Sequence, residues 1–455
     1  MAFTSTVFLV RFLPAALLFY YICPSRMRNW LLIIFSILFY AWNGITSLAV
    51  LLAVAVLGYF SAWAISASEG KKKKTFLVLS LICIIGCLVA FRYTGPFTEF
   101  LSQSGVPVPR IDLPAVAGIS FFTFTIIGYL IDVYSGRSEV CLKVSDYLLF
   151  ILLFPKLIMG PIVRIKDLSE GLSNRAVTSE DLEEGALLFV KGLAKKAILA
   201  DSISSLWSDV NEIGFSDSSG FLCWTAVAAF SFQLYFDFSG YSDMALGLGR
   251  FFGFKLPENF RTPYSSVSVT EFWRRWHITM SQWFRDYIYI PLGGNRCSPL
   301  RNALNLLIVW LLTGLWHGFS LNFVLWGLYY FLILLLERII LHKFLENNRL
   351  IGHIYTVFVT FLGWTLFAVN DTGNLITLFS RLFMGTGGIS AIYYLRNYGV
   401  LLVLCLFLCT DQAADLWKRL SDRRSSRTAI TLILLALSIA YIIGSTYHPF
   451  LYAQF

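Results

Sequence analysis

The chain has 455 residues, 57% of them hydrophobic and only 14% charged, with a net charge of +9. Soluble domains carry about a quarter charged residues, so composition excludes an ordinary soluble enzyme, and the mean hydropathy of +0.68 suits a chain solvated by lipid. The basic excess sits in short connectors, at Arg26 and Arg28, Lys71 to Lys74, the Arg250 to Arg301 region and Lys418 to Arg427. That pattern argues against nucleic acid as a partner and marks cytoplasmic loops under the positive-inside rule.

In chain order, apolar runs occur at Val7 to Ile22, Ser47 to Ile65, Thr75 to Phe91, Phe221 to Phe236, Phe323 to Leu341, Val357 to Val369 and Ala429 to Ile443. A membrane span needs about 17 to 25 such residues, and the length rule predicts about ten or eleven spans in an all-α polytopic membrane protein. The first run lacks a basic n-region and a small-residue cleavage site, so no cleavable signal peptide is expected. Lys71 to Lys74 reads as a topology anchor, and Arg92 to Pro114, with Pro96, Pro107, Pro109 and Pro114, reads as an ordered outer loop. Ser202 to Ser219 holds Asp209, Glu212 and Asp217 without a Lys or Arg, which fits the outer side. Counting spans between these anchors puts both termini outside.

No hydrophilic stretch is long enough to fold alone, and no repeat or low-complexity linker is evident. A single membrane-embedded domain over residues 1–455 is expected, with a catalytic core over about 118–340. Cys23, Cys83, Cys87, Cys141, Cys223, Cys297, Cys405 and Cys409 have no metal-ligand spacing and read as small hydrophobes, so no metal is expected.

Several central segments are too short or too broken to span. Tyr147 to Ile165 carries Pro155, Lys156, Gly160 and Pro161; Thr279 to Ile290 runs into Pro291, Gly293 and Gly294; Leu306 to Trp316 is interrupted by Gly314 and followed by His317, Gly318 and Asn322. Non-helical backbone at membrane depth persists only where protein buries it or water lines it. The cluster of breaks predicts an internal cavity or tunnel.

Polar side chains in this region are costly in lipid and therefore candidates for function. Over Phe272 to Tyr287, aromatic residues recur at helical spacing, and Arg274, His277, Ser281 and Arg285 fall on one further face of a continuous helix. Arg275, Gln282 and Asp286 form a second polar strip. Guanidinium groups bind phosphate bidentately, so Arg274, Arg275 and Arg285, with Ser281, are candidates for an anionic donor. An interfacial helix touching anionic headgroups fits the same pattern. His317, between Trp316 and Gly318, sits at a break in an apolar stretch, where an imidazole can serve as general base; a structural histidine bonded to a carbonyl is the plainer alternative. Asp237 and Asp243, in FDFSGYSDMALGLG (Phe236 to Gly249), lie among small residues that permit close helix packing. Either carboxylate could orient a histidine or pair with a basic group. Asn259, Arg261, Thr262 and Pro263 follow as residues that could shape an entrance, while His342, His353 and His448 read as interfacial.

Taken together, FDFSGYSDMALGLG, PENFRTPY (Pro257 to Tyr264), FWRRWHITMSQWFRDYIYIPLGGNR (Phe272 to Arg296) and LTGLWHG (Leu312 to Gly318) resemble the membrane-bound O-acyltransferases, in particular their polysaccharide O-acetylation branch. GISFFTFTIIGYLIDVY (Gly118 to Tyr134), FPKLIMGPIVR (Phe154 to Arg164), GLAKKAILAD (Gly192 to Asp201) and YHPFLYAQF (Tyr447 to Phe455) extend the resemblance along the chain, with Ala453 and Gln454 a small departure. The resemblance implies that His317 is the catalytic histidine and His277 a second active-site histidine; Asp243, Asp237, Asp286, Trp316 and Asn322 are the supporting candidates read from the residues themselves. It also implies a tunnel across the membrane, with a thioester donor (acetyl-CoA or acyl-carrier phosphopantetheine) reaching it from the cytoplasm and no bound cofactor. The acceptor would be an extracytoplasmic polysaccharide, or a relay acetyltransferase, at the membrane of a bacterial cell. PLGGNR (Pro291 to Arg296) favours acetylation over the D-alanyl transferases of teichoic acid. A proton-coupled transporter or flippase is the alternative from another class, although the breaks concentrate in one region and not in two matching halves.

Overall fold

A computed structural model describes residues 1–173, 175–444 and 450–451. Within them the secondary structure is helical, with one isolated bridge between Ser218 and Ile389. Six helices are long and apolar enough to cross a membrane: Ile45–Ser66, Gly70–Gln103, Gly220–Phe251, Leu321–Asn347, Arg349–Ala368 and Arg424–Gly444. A seventh arises if Ile392–Leu408 and Asp411–Asp422, bent by 80°, count as one. The number falls below the ten or eleven expected because several apolar runs form shorter helices. Phe8–Ile22 and Ile119–Tyr134 are too short, and a 15-residue helix extends about 22 Å against a hydrocarbon core of about 30 Å.

The chain forms two compact units, one of Met1–Phe189 with Tyr241–Glu258 and one of Val190–Gly240 with Asn259–Phe455. In the first, Ile119–Tyr134 carries apolar residues on every face, with Asp132 paired to Arg137 near its end, and is almost wholly buried, packed on Ile45–Ser66 and Gly70–Gln103. Gly58 makes the close approach possible, since a Cβ there would lie 2.6 Å from Ile126 Cγ2. The break expected after Tyr147 is present: helix Val144–Leu152 ends at Leu153, a single turn Phe154–Leu157 follows, and Ser36 Oγ accepts the Phe154 amide at 3.1 Å. The outer loop expected from Arg92 is instead helical as far as Gln103. Proline removes one amide donor, and here Thr98 Oγ1 donates to the Thr94 and Gly95 carbonyls beside Pro96, at 2.9 and 3.0 Å.

In the second unit, Ile203, Leu206, Val210 and Leu222 pack with Leu375, Leu378 and Leu382 in one apolar cluster. Helices Pro299–His317 and Leu321–Leu336 form a tight hairpin. Gly314 does not interrupt the first of these, contrary to the sequence expectation. Its lack of a side chain serves packing, because a Cβ would sit 2.3 Å from the Phe323 carbonyl oxygen, and one at Gly327 would meet Trp310 O at 2.6 Å. All eight cysteines are free, and no cluster of metal-ligating side chains occurs among the described residues.

Candidate active site

The polar segment begins with a helix start written into the sequence. Ser268 accepts the Glu271 amide at 3.1 Å, Glu271 accepts the Val267 amide at 2.9 Å, and helix Val269–Arg275 follows. Glu337, buried in the apolar run of the neighbouring hairpin helix, accepts the Val269 and Thr270 amides at 2.6 and 2.8 Å and so satisfies two more donors of that first turn.

This helix stops after seven residues. Trp276 is extended, with φ −99° and ψ 130°, and His277 is left-handed, with φ 43° and ψ 54°. A new helix, Ile278–Phe284, continues into the π-turn Arg285–Tyr289. The single continuous helix expected over Phe272 to Tyr287 is therefore absent, and Arg274, His277, Ser281 and Arg285 do not share one face. The cause is a neighbouring loop that takes the backbone bonds a continuous helix would use. Arg261 N donates to Arg275 O at 2.9 Å, and Ile278 N donates to Asn259 O at 2.9 Å.

The break buries His277 completely. Its Nδ1 lies 3.2 Å from Asn259 Oδ1, and the Phe238 ring meets it edge-on at 4.8 Å. Among the described residues burial alone moves its titration, pushing the pKa down to about 3, so the imidazole is neutral at physiological pH.

His317 ends helix Pro299–His317 and is likewise buried. Its ring is boxed by Trp316 at 4.6 Å, Phe367 at 4.8 Å, Trp326 at 5.1 Å and Phe323 at 5.9 Å. Trp316 also reaches the ring of His277, with centroids 6.3 Å apart. The two histidines thus approach each other from separate helix ends, bridged by one indole. Asn322 holds the turn after His317, donating from Nδ2 to Leu366 O at 3.3 Å and Asn370 Oδ1 at 3.0 Å.

A cleft of about 540 Å³ is lined by residues on either side of His277 in the chain and by the helix that His317 ends. Arg274, Arg285, Ser281 and Gln282 supply its polar groups, and Trp273, Trp310, Met280 and Leu306 much of its apolar wall. Neither histidine lines it. Arg274 and Arg285 are exposed, which leaves their guanidinium groups accessible, although Arg285 Nε also donates to Asp286 Oδ1 at 2.9 Å.

Arg275 is placed differently from its neighbour. It is absent from the cleft wall and is committed to Glu271 at 2.7 Å and Asp411 at 3.0 Å. Burial alone would lower its pKa, but hydrogen bonds and charge from Asp411 and Glu271 raise it overall. Asp237 has a lysine and a backbone amide, not a histidine, as its partners among the described residues. It is buried in an ion pair with Lys196 at 2.6 Å, Lys196 also meets Asp201 at 2.8 Å, and Asp237 Oδ2 accepts the Leu451 amide at 2.8 Å. Asp243, six residues further along Gly220–Phe251, belongs to the other unit. His342 is exposed 3.4 Å from Glu346, and His353 Nδ1 lies 3.1 Å from Ser266 O. His448 and most of the YHPFLYAQF stretch fall outside the described residues. Sequence reasoning passed over Lys196, Glu337 and Asp411. A single acid inside an apolar run, as at Glu337, is the signal that would have found one of them.

The helices long enough to cross a membrane, the two buried histidines and the arginine-lined cleft are what a membrane-embedded transferase would need. The model of the family described as MBOAT, membrane-bound O-acyltransferase, matches residues 141–370. The chain is 37% identical to a probable alginate O-acetylase AlgI of Azotobacter vinelandii, over 84% of this chain and 78% of that protein. It is 29% identical to a peptidoglycan O-acetyltransferase of Helicobacter pylori over 100% and 97% of the two chains, and 28% identical to a teichoic acid D-alanyltransferase of Bacillus subtilis over 55% and 67%. The chain belongs to the membrane-bound O-acyltransferase family and is an O-acyltransferase.

Proposed function

We propose that this protein moves an acetyl group from a cytoplasmic thioester donor, for O-acetylation of an extracytoplasmic polysaccharide at the cell membrane. The observation that carries the reading is the convergence of His277 and His317 on Trp316. The longer-range similarity to O-acetylating relatives supports acetyl over D-alanyl, since the D-alanyltransferase match covers 55% of the chain. His317 acts as the base that takes the proton of the attacking hydroxyl as its oxygen bonds to the acyl carbon. The tetrahedral intermediate then collapses, the carbon–sulfur bond breaks, and the thiol leaves with a proton. His277 hydrogen-bonds the leaving thiol or the acyl carbonyl. Arg274 and Arg285, with Ser281, hold the anionic part of the donor, either coenzyme A or an acyl-carrier phosphopantetheine. The acceptor is the polymer itself or a relay acetyltransferase outside the membrane.

Reconstitution with radiolabelled acetyl-CoA tests the assignment. His317→Ala is expected to lose acyl transfer while retaining the thermal stability of the parent. Unchanged transfer by that variant would remove His317 from the mechanism, and substrate accumulation in vesicles without any acyl transfer would favour a transporter.

A further inference from the structure

Asn259 lies outside both helices that meet at His277, yet it gathers the contacts of the junction. Its carbonyl accepts the Ile278 amide, and its Oδ1 accepts from Thr279 N at 3.1 Å and Thr279 Oγ1 at 2.9 Å. A backbone amide can only donate, so the side-chain atom facing Thr279 N is the amide oxygen. His277 Nδ1 lies 3.2 Å from that same oxygen. A lone pair on Nδ1 would face a lone pair there, so Nδ1 carries the proton. In a neutral imidazole the second nitrogen, Nε2, then holds the lone pair.

We propose that Asn259 is a positioning residue that fixes His277 as its Nδ1–H tautomer, so that His277 meets the reacting groups as a hydrogen-bond acceptor at Nε2. The proposal rests on the reading of His277 as an active-site group and narrows it. An acceptor can receive the hydrogen of the attacking hydroxyl or of the departing thiol, whereas the acyl carbonyl offers no hydrogen to accept. Phe238, Phe260 and Trp316 hold the plane of the ring, and Asn259 itself is buried. A neutral amide at this place orients the imidazole without adding the basicity that a carboxylate would give.

The proton position can be read without turnover. In the full-length protein, with ¹⁵N-labelled histidine in lipid nanodiscs, nitrogen shifts distinguish the tautomers, and His277→Gln assigns the His277 signal. The wild type is expected to show Nδ1–H at pH 7, and finding Nε2–H would overturn the proposal. Asn259→Ala is expected to lose the preference for Nδ1–H, with kcat falling about 10- to 100-fold, the size typical of lost outer-shell partners, and donor KM unchanged. An unchanged tautomer in that variant would equally overturn it. Asn259→Asp guards against a folding defect: it keeps Oδ1, and Asn259 Nδ2 makes no hydrogen bond among the described residues, so no bond is lost. A carboxylate there stabilises the imidazolium, so the titration of His277 is expected to move upward by about 1 to 3 pH units while Nδ1–H persists above it. No movement would mean that the side chain at 259 does not address Nδ1. Should His277→Gln retain full acyl transfer, the active-site reading fails even where the tautomer is as stated.

Discussion

Replacing Arg274 and Arg275 by alanine one at a time is expected to separate donor binding from folding. Arg274 is exposed on the cleft wall and makes no ion pair among the described residues. A hydrogen bond to a charged group contributes about 1.5–3 kcal/mol. At about 1.4 kcal/mol per tenfold change, Arg274→Ala should raise the donor KM about 10- to 100-fold with little change in kcat, the signature of lost uniform binding. Arg275 holds Glu271 and Asp411 in pairs that are partly exposed on both sides, and such pairs contribute about 0.2–1 kcal/mol each. Arg275→Ala should therefore lower stability by about 0.4–2 kcal/mol and leave the donor KM near that of the parent. The assay is acetyl transfer in proteoliposomes over a range of donor concentrations, paired with thermal unfolding in detergent. Equal KM effects from the two variants at equal stability would refute the division of roles.

Two further outcomes follow from packing and buried charge. A Cβ at residue 314 would stand 2.3 Å from Phe323 O, well inside the 3.4 Å of ordinary contact. Gly314→Val should thus force the hairpin apart by about 1 Å, lose about 1–3 kcal/mol and reduce turnover through displacement of His317; a variant with parental unfolding temperature and kcat would contradict the close-packing argument. Asp237→Ala removes one of the two carboxylates that Lys196 meets among the described residues, and breaking a buried pair typically loses about 3–5 kcal/mol. Thermal unfolding should show that loss, with Asp237→Asn milder, and no change would mean the pair does not support the fold.

Much of the site was legible because its signals are local. An apolar chain with two histidines and clustered arginines in its central region announces a membrane enzyme, since lipid excludes such groups unless something retains them. The small residues of FDFSGYSDMALGLG mark close packing in the sequence, and the structure uses Gly240 in that way: a Cβ there would lie 2.8 Å from Gly192 O. The length rule predicts more spans than the six or seven described helices that are long and apolar enough, because hydropathy records how apolar a stretch is and not where a helix stops.

What the sequence determined by itself was the helical membrane class, the positions of His277 and His317, and the break after His317. Tertiary structure decided which polar groups are available. The periodicity of Phe272 to Tyr287 suits one unbroken helix, yet Asn259 and Arg261 take its backbone bonds from a loop upstream and turn His277 inward. Arg274 and Arg275 are adjacent and chemically alike, and Glu271 together with Asp411, the latter 136 residues away, engages one in the fold while the other stays at the cleft. Helical spacing specifies which side chains can share a face; hydrogen bonds and ion pairs closed across long sequence separations specify which of them are already engaged.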